Sequence, residues 1–135
     1  MVSQVRSVSS MPSADQNEVL IVEDEQTSRR ALGLLLSSCG YRPQVFATAE
    51  EALLWLNAGR HPRVALIDFN LPGMDGLDLI ERLRTLTPTT FAVLITATDE
   101  NSLTGRLNGR PVSYLRKPLD FDLLLRTLCR QSFHN

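Results

Sequence analysis

Short runs of consecutive apolar residues alternate along this chain with longer stretches in which apolar residues recur every three or four positions, and few folds accept that alternation. Val19-Leu20-Ile21-Val22, Val64-Ala65-Leu66-Ile67 and Ala92-Val93-Leu94-Ile95 show no polar alternation, so each reads as a strand buried on both faces of a parallel sheet. Residues 44–47 read as a weaker strand, and residues 112–115 as the fifth strand. Pro43 has no N–H for a ladder, which puts the second strand at a sheet edge. Between the strands lie helical patterns. Residues 27–39 place Leu32, Leu35, Leu36 and Cys39 on one face, with Gly40 as the stop. Thr48-Ala49-Glu50-Glu51 is a capping box for a helix ending near Gly59. Residues 77–86 bury Leu79, Ile80, Leu83 and Leu86 before Pro88 closes the helix. Asp120 caps a last helix whose Phe121, Leu124, Leu125 and Leu128 form a stripe.

The pattern from 99 to 107 is the poorest. Only Leu103 and Leu107 are large apolar anchors, and Gly105 costs about 1 kcal/mol relative to Ala within a helix. Five β-α units imply a doubly wound α/β fold, a five-stranded parallel sheet covered by five helices. Right-handed crossovers and an edge position for strand two favour the flavodoxin-like order 2-1-3-4-5. In such sheets ligands bind at the carboxyl ends of the strands, where strands one and three diverge.

A chain of 135 residues fits one such domain, over residues 18–131, with a flexible tail at 1–17 and a short one at 132–135. The first tail holds five serines and one arginine but no apolar core, so it is not a secretory signal. No apolar run reaches the roughly 18 residues of a membrane span. A net charge of −1 gives no reason to expect direct binding to nucleic acid or an anionic membrane. Cys39 and Cys129 have no metal-type spacing and read as buried or half-buried thiols of a cytoplasmic protein.

Chemistry concentrates where the apolar runs stop. Strand one ends in Glu23-Asp24-Glu25, strand three in Asp68, strand four in Thr96, and Lys117-Pro118 follows strand five. With strands one and three adjacent, Glu23, Asp24 and Asp68 converge. Three neighbouring carboxylates repel one another, and a hard divalent cation such as Mg²⁺ relieves that repulsion with oxygen ligands. Such an ion can accept an oxygen of a phosphoryl group, Thr96 can donate a hydroxyl hydrogen bond to another, and Lys117 can pair with Asp68 or with the phosphoryl oxygens. Lys117 is the only lysine in a chain otherwise supplied with arginine, and a flexible point charge suits a crowded metal-phosphate site better than a planar guanidinium.

Four blocks, Val19-Leu20-Ile21-Val22-Glu23-Asp24-Glu25, Leu66-Ile67-Asp68-Phe69-Asn70-Leu71-Pro72-Gly73-Met74-Asp75-Gly76, Ile95-Thr96-Ala97 and Tyr114-Leu115-Arg116-Lys117-Pro118, stand in the order found in response-regulator receiver domains. Across residues 18 to 130 the chain resembles that family of two-component signalling. The resemblance implies that Asp68 accepts a phosphoryl group from a sensor histidine kinase or a histidine phosphotransfer protein. It implies that Asp24 and Asp68 ligate Mg²⁺ directly, Glu23 acts mostly through water, and Asn70 offers its backbone carbonyl. Glu23 stands where family members often carry Asp. Thr96 and Tyr114 would form the switch pair, and Lys117-Pro118 would be cis. The response would pass to a downstream protein or output domain through the surface of the fourth helix, fifth strand and fifth helix, with a homodimer left open. A receiver is a signalling phosphoacceptor rather than an enzyme acting on an external substrate.

Rival readings make distinct demands. A phosphatase of the haloacid-dehalogenase type needs a second aspartate two residues after the nucleophile, where this chain has Asn70, which cannot protonate a leaving group. A flavodoxin-like electron carrier would have to bind FMN phosphate against an acidic first loop. A pseudo-receiver that only binds protein would lack one or more of the site residues, all of which are present. Pro72-Gly73 and Asp75-Gly76 read as turn chemistry shaping the loop after Asp68, Trp55 as packing, and His61 and His134 as without a role.

Overall fold

A computed structural model describes residues 17–132. Five strands, β1 (Glu18–Val22), β2 (Arg42–Phe46), β3 (Val64–Asp68), β4 (Phe91–Thr96) and β5 (Ser113–Arg116), form one parallel sheet in the order β2-β1-β3-β4-β5. They alternate with helices α1 (Gln26–Ser38), α2 (Ala49–Asn57), α3 (Gly76–Leu86), α4 (Glu100–Leu107) and α5 (Phe121–Ser132). This is the doubly wound fold and strand order expected from the sequence. The proposed tails, apart from Asn17 and Ser132, lie outside the described residues, as does His134.

Alternate residues of the central strands feed two cores. Leu20, Val22, Ala65, Ile67 and Leu94 pack under α2 and α3 and meet Leu103 of α4. Val19, Ile21, Val64, Leu66, Val93 and Ile95 pack against Leu32 and Leu36 of α1 and Leu124 and Leu128 of α5. Because β1 and β3 are covered on both sides, every one of their residues is buried, which is why they read as unbroken apolar runs. β2 is the edge. The Arg42 N–H donates to the Asn17 carbonyl, so the alternate position, Pro43, turns its missing donor away from β1.

Local chemistry sets the helix ends. Thr48 Oγ1 accepts from the Glu51 N–H at 3.1 Å, while the Glu51 carboxylate reaches the Ala47 N–H at 3.2 Å, one residue further back than a strict capping box. α1 begins one residue earlier than the spacing suggests because Glu25 caps it, accepting from the Ser28 and Thr27 N–H groups. Its far end is a Schellman motif: Tyr41 N–H donates to Leu36 O and Gly40 N–H to Ser37 O, with Gly40 at φ +93°.

That motif explains one correction. Cys39 has helical spacing to Leu36 but sits at the cap where the chain turns away, and it is exposed rather than buried. Cys129 is likewise exposed, on the outer side of α5. Phe121 is a second correction. At the first turn of α5 it lies beyond the sheet's covered area and is 46% exposed, leaving Leu124 and Leu128 as the buried stripe with Leu125 beside them. Trp55 packs as expected, its ring centroid 5.8 Å from that of Phe46.

α4 buries a single side chain, Leu103, and nothing packs near Gly105. A helix of eight residues with so small an apolar face draws little stability from packing. We therefore expect the amides of α4 to exchange with solvent deuterium well before those of α3, which buries Leu77, Leu79, Ile80 and Leu83. Equal protection of the two helices in a hydrogen-exchange time course would contradict this.

Candidate phosphoacceptor and metal site

Three of the four ladders run one bond past their strands at the carboxyl edge. Glu23 N–H donates to Phe46 O at 3.0 Å, Phe69 N–H to Ile95 O at 2.8 Å and Lys117 N–H to Thr96 O at 2.8 Å. These bonds fix the backbone beside Asp24, Asp68 and Thr96, where the sheet stops and side chains can face one another. The Arg29 guanidinium, from the first turn of α1, adds hydrogen bonds to the Glu23 and Asp24 carbonyls at 3.0 and 3.2 Å.

Carboxylate oxygens of Glu23, Asp24 and Asp68 lie within 4.8 Å of one another. Glu23 and Asp68 are buried and Asp24 is exposed, so the cluster opens to solvent on the Asp24 side. Glu25 belongs to the same acidic run but points back into its capping role. Asp68 is held at both oxygens: Oδ1 accepts from the Asn70 N–H at 3.1 Å, and Oδ2 from Lys117 Nζ at 3.2 Å. Lys117 Nζ also stands 3.5 Å from Glu23 Oε1, so one ammonium bridges two of the three carboxylates. The Lys117-Pro118 peptide is cis.

Burial pushes the Glu23 carboxyl up to about 7, and the neighbouring Asp68 adds to that push against the Glu25 N–H and the Lys117 charge. Partial burial disfavours the Lys117 ammonium, but Asp68 and then Glu23 outweigh it and raise its pKa. The pocket thus holds more negative charge than one lysine neutralises. A small dication fits that donor set. Oxygens about 2.1 Å from Mg²⁺ stand roughly 3 Å apart when cis and 4.2 Å when trans, close to the spread of these three groups.

Thr96 is fully buried, and its Oγ1 accepts from the Thr98 N–H at 2.9 Å. Because that bond uses an oxygen lone pair, the hydroxyl hydrogen stays available to a new acceptor. Tyr114 pairs in register with Leu94 and is half-buried against the core cluster containing Leu94 and Leu103. Thr96 is two residues beyond Leu94 and so shares that face of the sheet. Asn70 is exposed at the start of the loop.

Three features of the site were not read from the sequence. One is the Asn70 N–H bond to Asp68. Another is Gly76, read there as turn chemistry: Gly73, at φ +82°, is the turn glycine, whereas Gly76 opens α3 where an added Cβ would lie 2.5 Å from the Asp68 carbonyl oxygen. The third is Arg106 of α4, whose Nη2 donates to Asp75 Oδ2 at 2.9 Å while its guanidinium lies 4.9 Å from the centre of the Phe69 ring. His61 sets Nδ1 3.2 Å from Thr87 Oγ1, away from the acid pocket.

Known proteins place the chain in a family. The family model described as response regulator receiver domain matches residues 19–128. The two-component response regulator PhoP of Pseudomonas aeruginosa is 35% identical over 120 residues, covering 85% of this chain and 52% of that protein. The transcriptional regulatory protein CseB of Streptomyces coelicolor is 32% identical over 124 residues, covering 90% of this chain and 53% of that protein. A receiver domain protein of Methanospirillum hungatei superposes with a TM-score of 0.75 at 27% identity, covering 89% of this chain and 99% of that one. The chain spans about half the length of these two curated relatives, and 28% of a cyclic di-GMP phosphodiesterase of Thermotoga maritima that it also matches. Among the described residues no helix is long and apolar enough to cross a membrane. By its sheet order, its acid pocket and the match over residues 19–128, the chain belongs to the response regulator receiver domains.

Proposed function

We propose that this domain takes a phosphoryl group onto Asp68 from a sensor histidine kinase or a histidine phosphotransfer protein, and changes conformation to signal to a downstream protein or output domain. The observation that carries the reading is the grip on Asp68: two carboxylates beside it, one ammonium on Oδ2, and the Asn70 N–H on Oδ1. An Asp68 oxygen attacks phosphorus, the bond from phosphorus to the donor's imidazole nitrogen breaks, and the released imidazole keeps the electron pair. The product is a mixed anhydride between the Asp68 carboxyl and phosphate. Asp24 and Asp68 would hold Mg²⁺ directly, with Glu23 through water and Asn70 through its carbonyl. Bound there, the ion offsets charge on the transferring phosphoryl oxygens.

Lys117 then follows the charge, exchanging part of its contact with Asp68 Oδ2 for a phosphoryl oxygen. The free hydroxyl hydrogen of Thr96 meets another oxygen, which draws the end of β4 inward. Tyr114, on the same face, turns in behind it, and the thinly packed α4 shifts. Those movements alter the α4-β5-α5 surface, the place for a downstream partner or a second copy of the chain. A cytoplasmic setting fits a histidine-kinase donor.

The test uses a small donor in place of the kinase. With Mg²⁺ and acetyl phosphate the protein should gain the mass of one phosphoryl group, and hydroxylamine, which cleaves acyl phosphates, should remove it. No adduct at saturating Mg²⁺, or one stable to hydroxylamine, would overturn the assignment.

A further inference from the structure

Arg106 leaves α4 to touch the loop that follows the proposed phosphoacceptor, and it does so twice. Its Nη2 donates to Asp75 Oδ2 at 2.9 Å, and its guanidinium covers the Phe69 ring at 4.9 Å. Both partners lie in the segment that runs from Asp68 to the start of α3. Phe69 is the next residue, and its carbonyl accepts from the Gly76 N–H at 2.9 Å. Asp75 Oδ1 caps α3 by accepting from the Asp78 N–H at 2.9 Å, so one carboxylate serves the helix and the arginine at once. The loop between these anchors contains Asn70.

The far side of the contact is also secured. The Arg106 carbonyl accepts from Arg110 Nη2 at 2.9 Å, Arg110 Nε donates to Leu107 O at 2.8 Å, and Arg110 Nη1 lies 3.7 Å from Glu81 on α3. Arg84 on α3 donates to the Pro111 carbonyl beyond α4. Arginines thus add polar contacts to a helix that buries only Leu103, and one of them reaches the Asp68 loop.

We propose that Arg106 is a positioning residue for the acid pocket: by holding Asp75 and covering Phe69 it fixes the loop that presents Asn70, and so ties the placement of α4 to Mg²⁺ affinity beside Asp68. The inference rests on the phosphoacceptor reading above. Coupling of this kind is reciprocal, since a ligand that tightens the loop must also tighten the α4 contact.

Two measurements test it, the Mg²⁺ dissociation constant by isothermal titration calorimetry and hydrogen exchange at residues 69–76 in metal-free protein. Arg106→Gln should weaken Mg²⁺ binding roughly three- to tenfold, the range an ion pair with a stacked ring supports. It should speed exchange at 69–76 while leaving β1 and α1 unchanged. Arg106→Lys, which keeps the charge, should recover part of both losses. Asp75→Asn keeps the capping oxygen but loses the ion pair, and adding it to Arg106→Gln should cost no further affinity. Parental affinity and exchange in Arg106→Gln, or fully additive losses in the double variant, would overturn the role of Arg106. The phosphoacceptor reading is judged separately. If Asp24→Asn and Asp68→Asn both bind Mg²⁺ like the parent, the acid pocket itself has been misread.

Discussion

Asp68→Asn should abolish phosphoryl incorporation while leaving the fold intact. The substitution is isosteric, and an amide oxygen can still accept from the Asn70 N–H that now reaches Oδ1 at 3.1 Å. The attacking group is nevertheless lost, because a neutral amide is a far weaker nucleophile than a carboxylate. The charge balance changes too. Lys117 would lose its 3.2 Å partner and keep Glu23 at 3.5 Å, and the acid cluster would fall from three carboxylates to two. Mg²⁺ affinity should therefore fall with reactivity. Relief of repulsion around Glu23 should keep the metal-free protein near parental stability. Intact-mass spectrometry after incubation with acetyl phosphate and Mg²⁺ reads the first effect, and a thermal melt in chelator reads the last. Undiminished labelling would remove Asp68 from the mechanism, and the search for an acceptor would move to Asp24, the exposed carboxylate of the cluster.

The parts of this molecule legible in the sequence are those fixed by periodicity and register. β1 and β3 are continuous apolar runs because helices cover both faces, and the polar residue ending each run must emerge at the sheet's carboxyl edge. Once Pro43 placed β2 outside, adjacency of β1 and β3 brought Glu23, Asp24 and Asp68 together. Lys117 and Thr96 followed from the same rule. What escaped depends on side-chain direction rather than on position along an element. Cys39 has the spacing of a core residue but stands where the Schellman turn lifts the chain off the sheet. Phe121 has the spacing of the α5 stripe but lies at its uncovered end. Glu25 continues an acidic run yet caps a helix instead of joining the pocket. Arg106 and Asp75 are 31 residues apart on different elements, and no spacing rule joins them. Weakness in α4 could be read from composition; the arginines that hold it could not.

Gly76→Ala and Gly105→Ala make the same chemical change and should move stability in opposite directions. A Cβ added at Gly76 would lie 2.5 Å from the Asp68 carbonyl oxygen, 2.9 Å from the Phe69 Cα and 2.9 Å from Leu94 Cδ1. Two of those atoms are backbone, so no rotamer change relieves the clash. Either α3 backs away from β3 or the segment 68–69 is displaced, and overpacking of this kind costs about 1–3 kcal/mol. For a domain of this size that is on the order of 10 °C in Tm. The move also disturbs function. The Gly76 N–H bond to Phe69 O would lengthen, and the loop from Asp68 to Asp75 would lose its anchor, so phosphoryl transfer should slow beyond what lost stability explains. At Gly105 nothing lies within 4 Å of the added atom. There the substitution removes only the flexibility penalty of a helical glycine, and should gain about 0.5–1 kcal/mol. Thermal melts of the two variants beside the parent decide the matter. A stabilised Gly76→Ala would mean that α3 does not press on the end of β3, and with it would go the account of how the Asp68 loop is held.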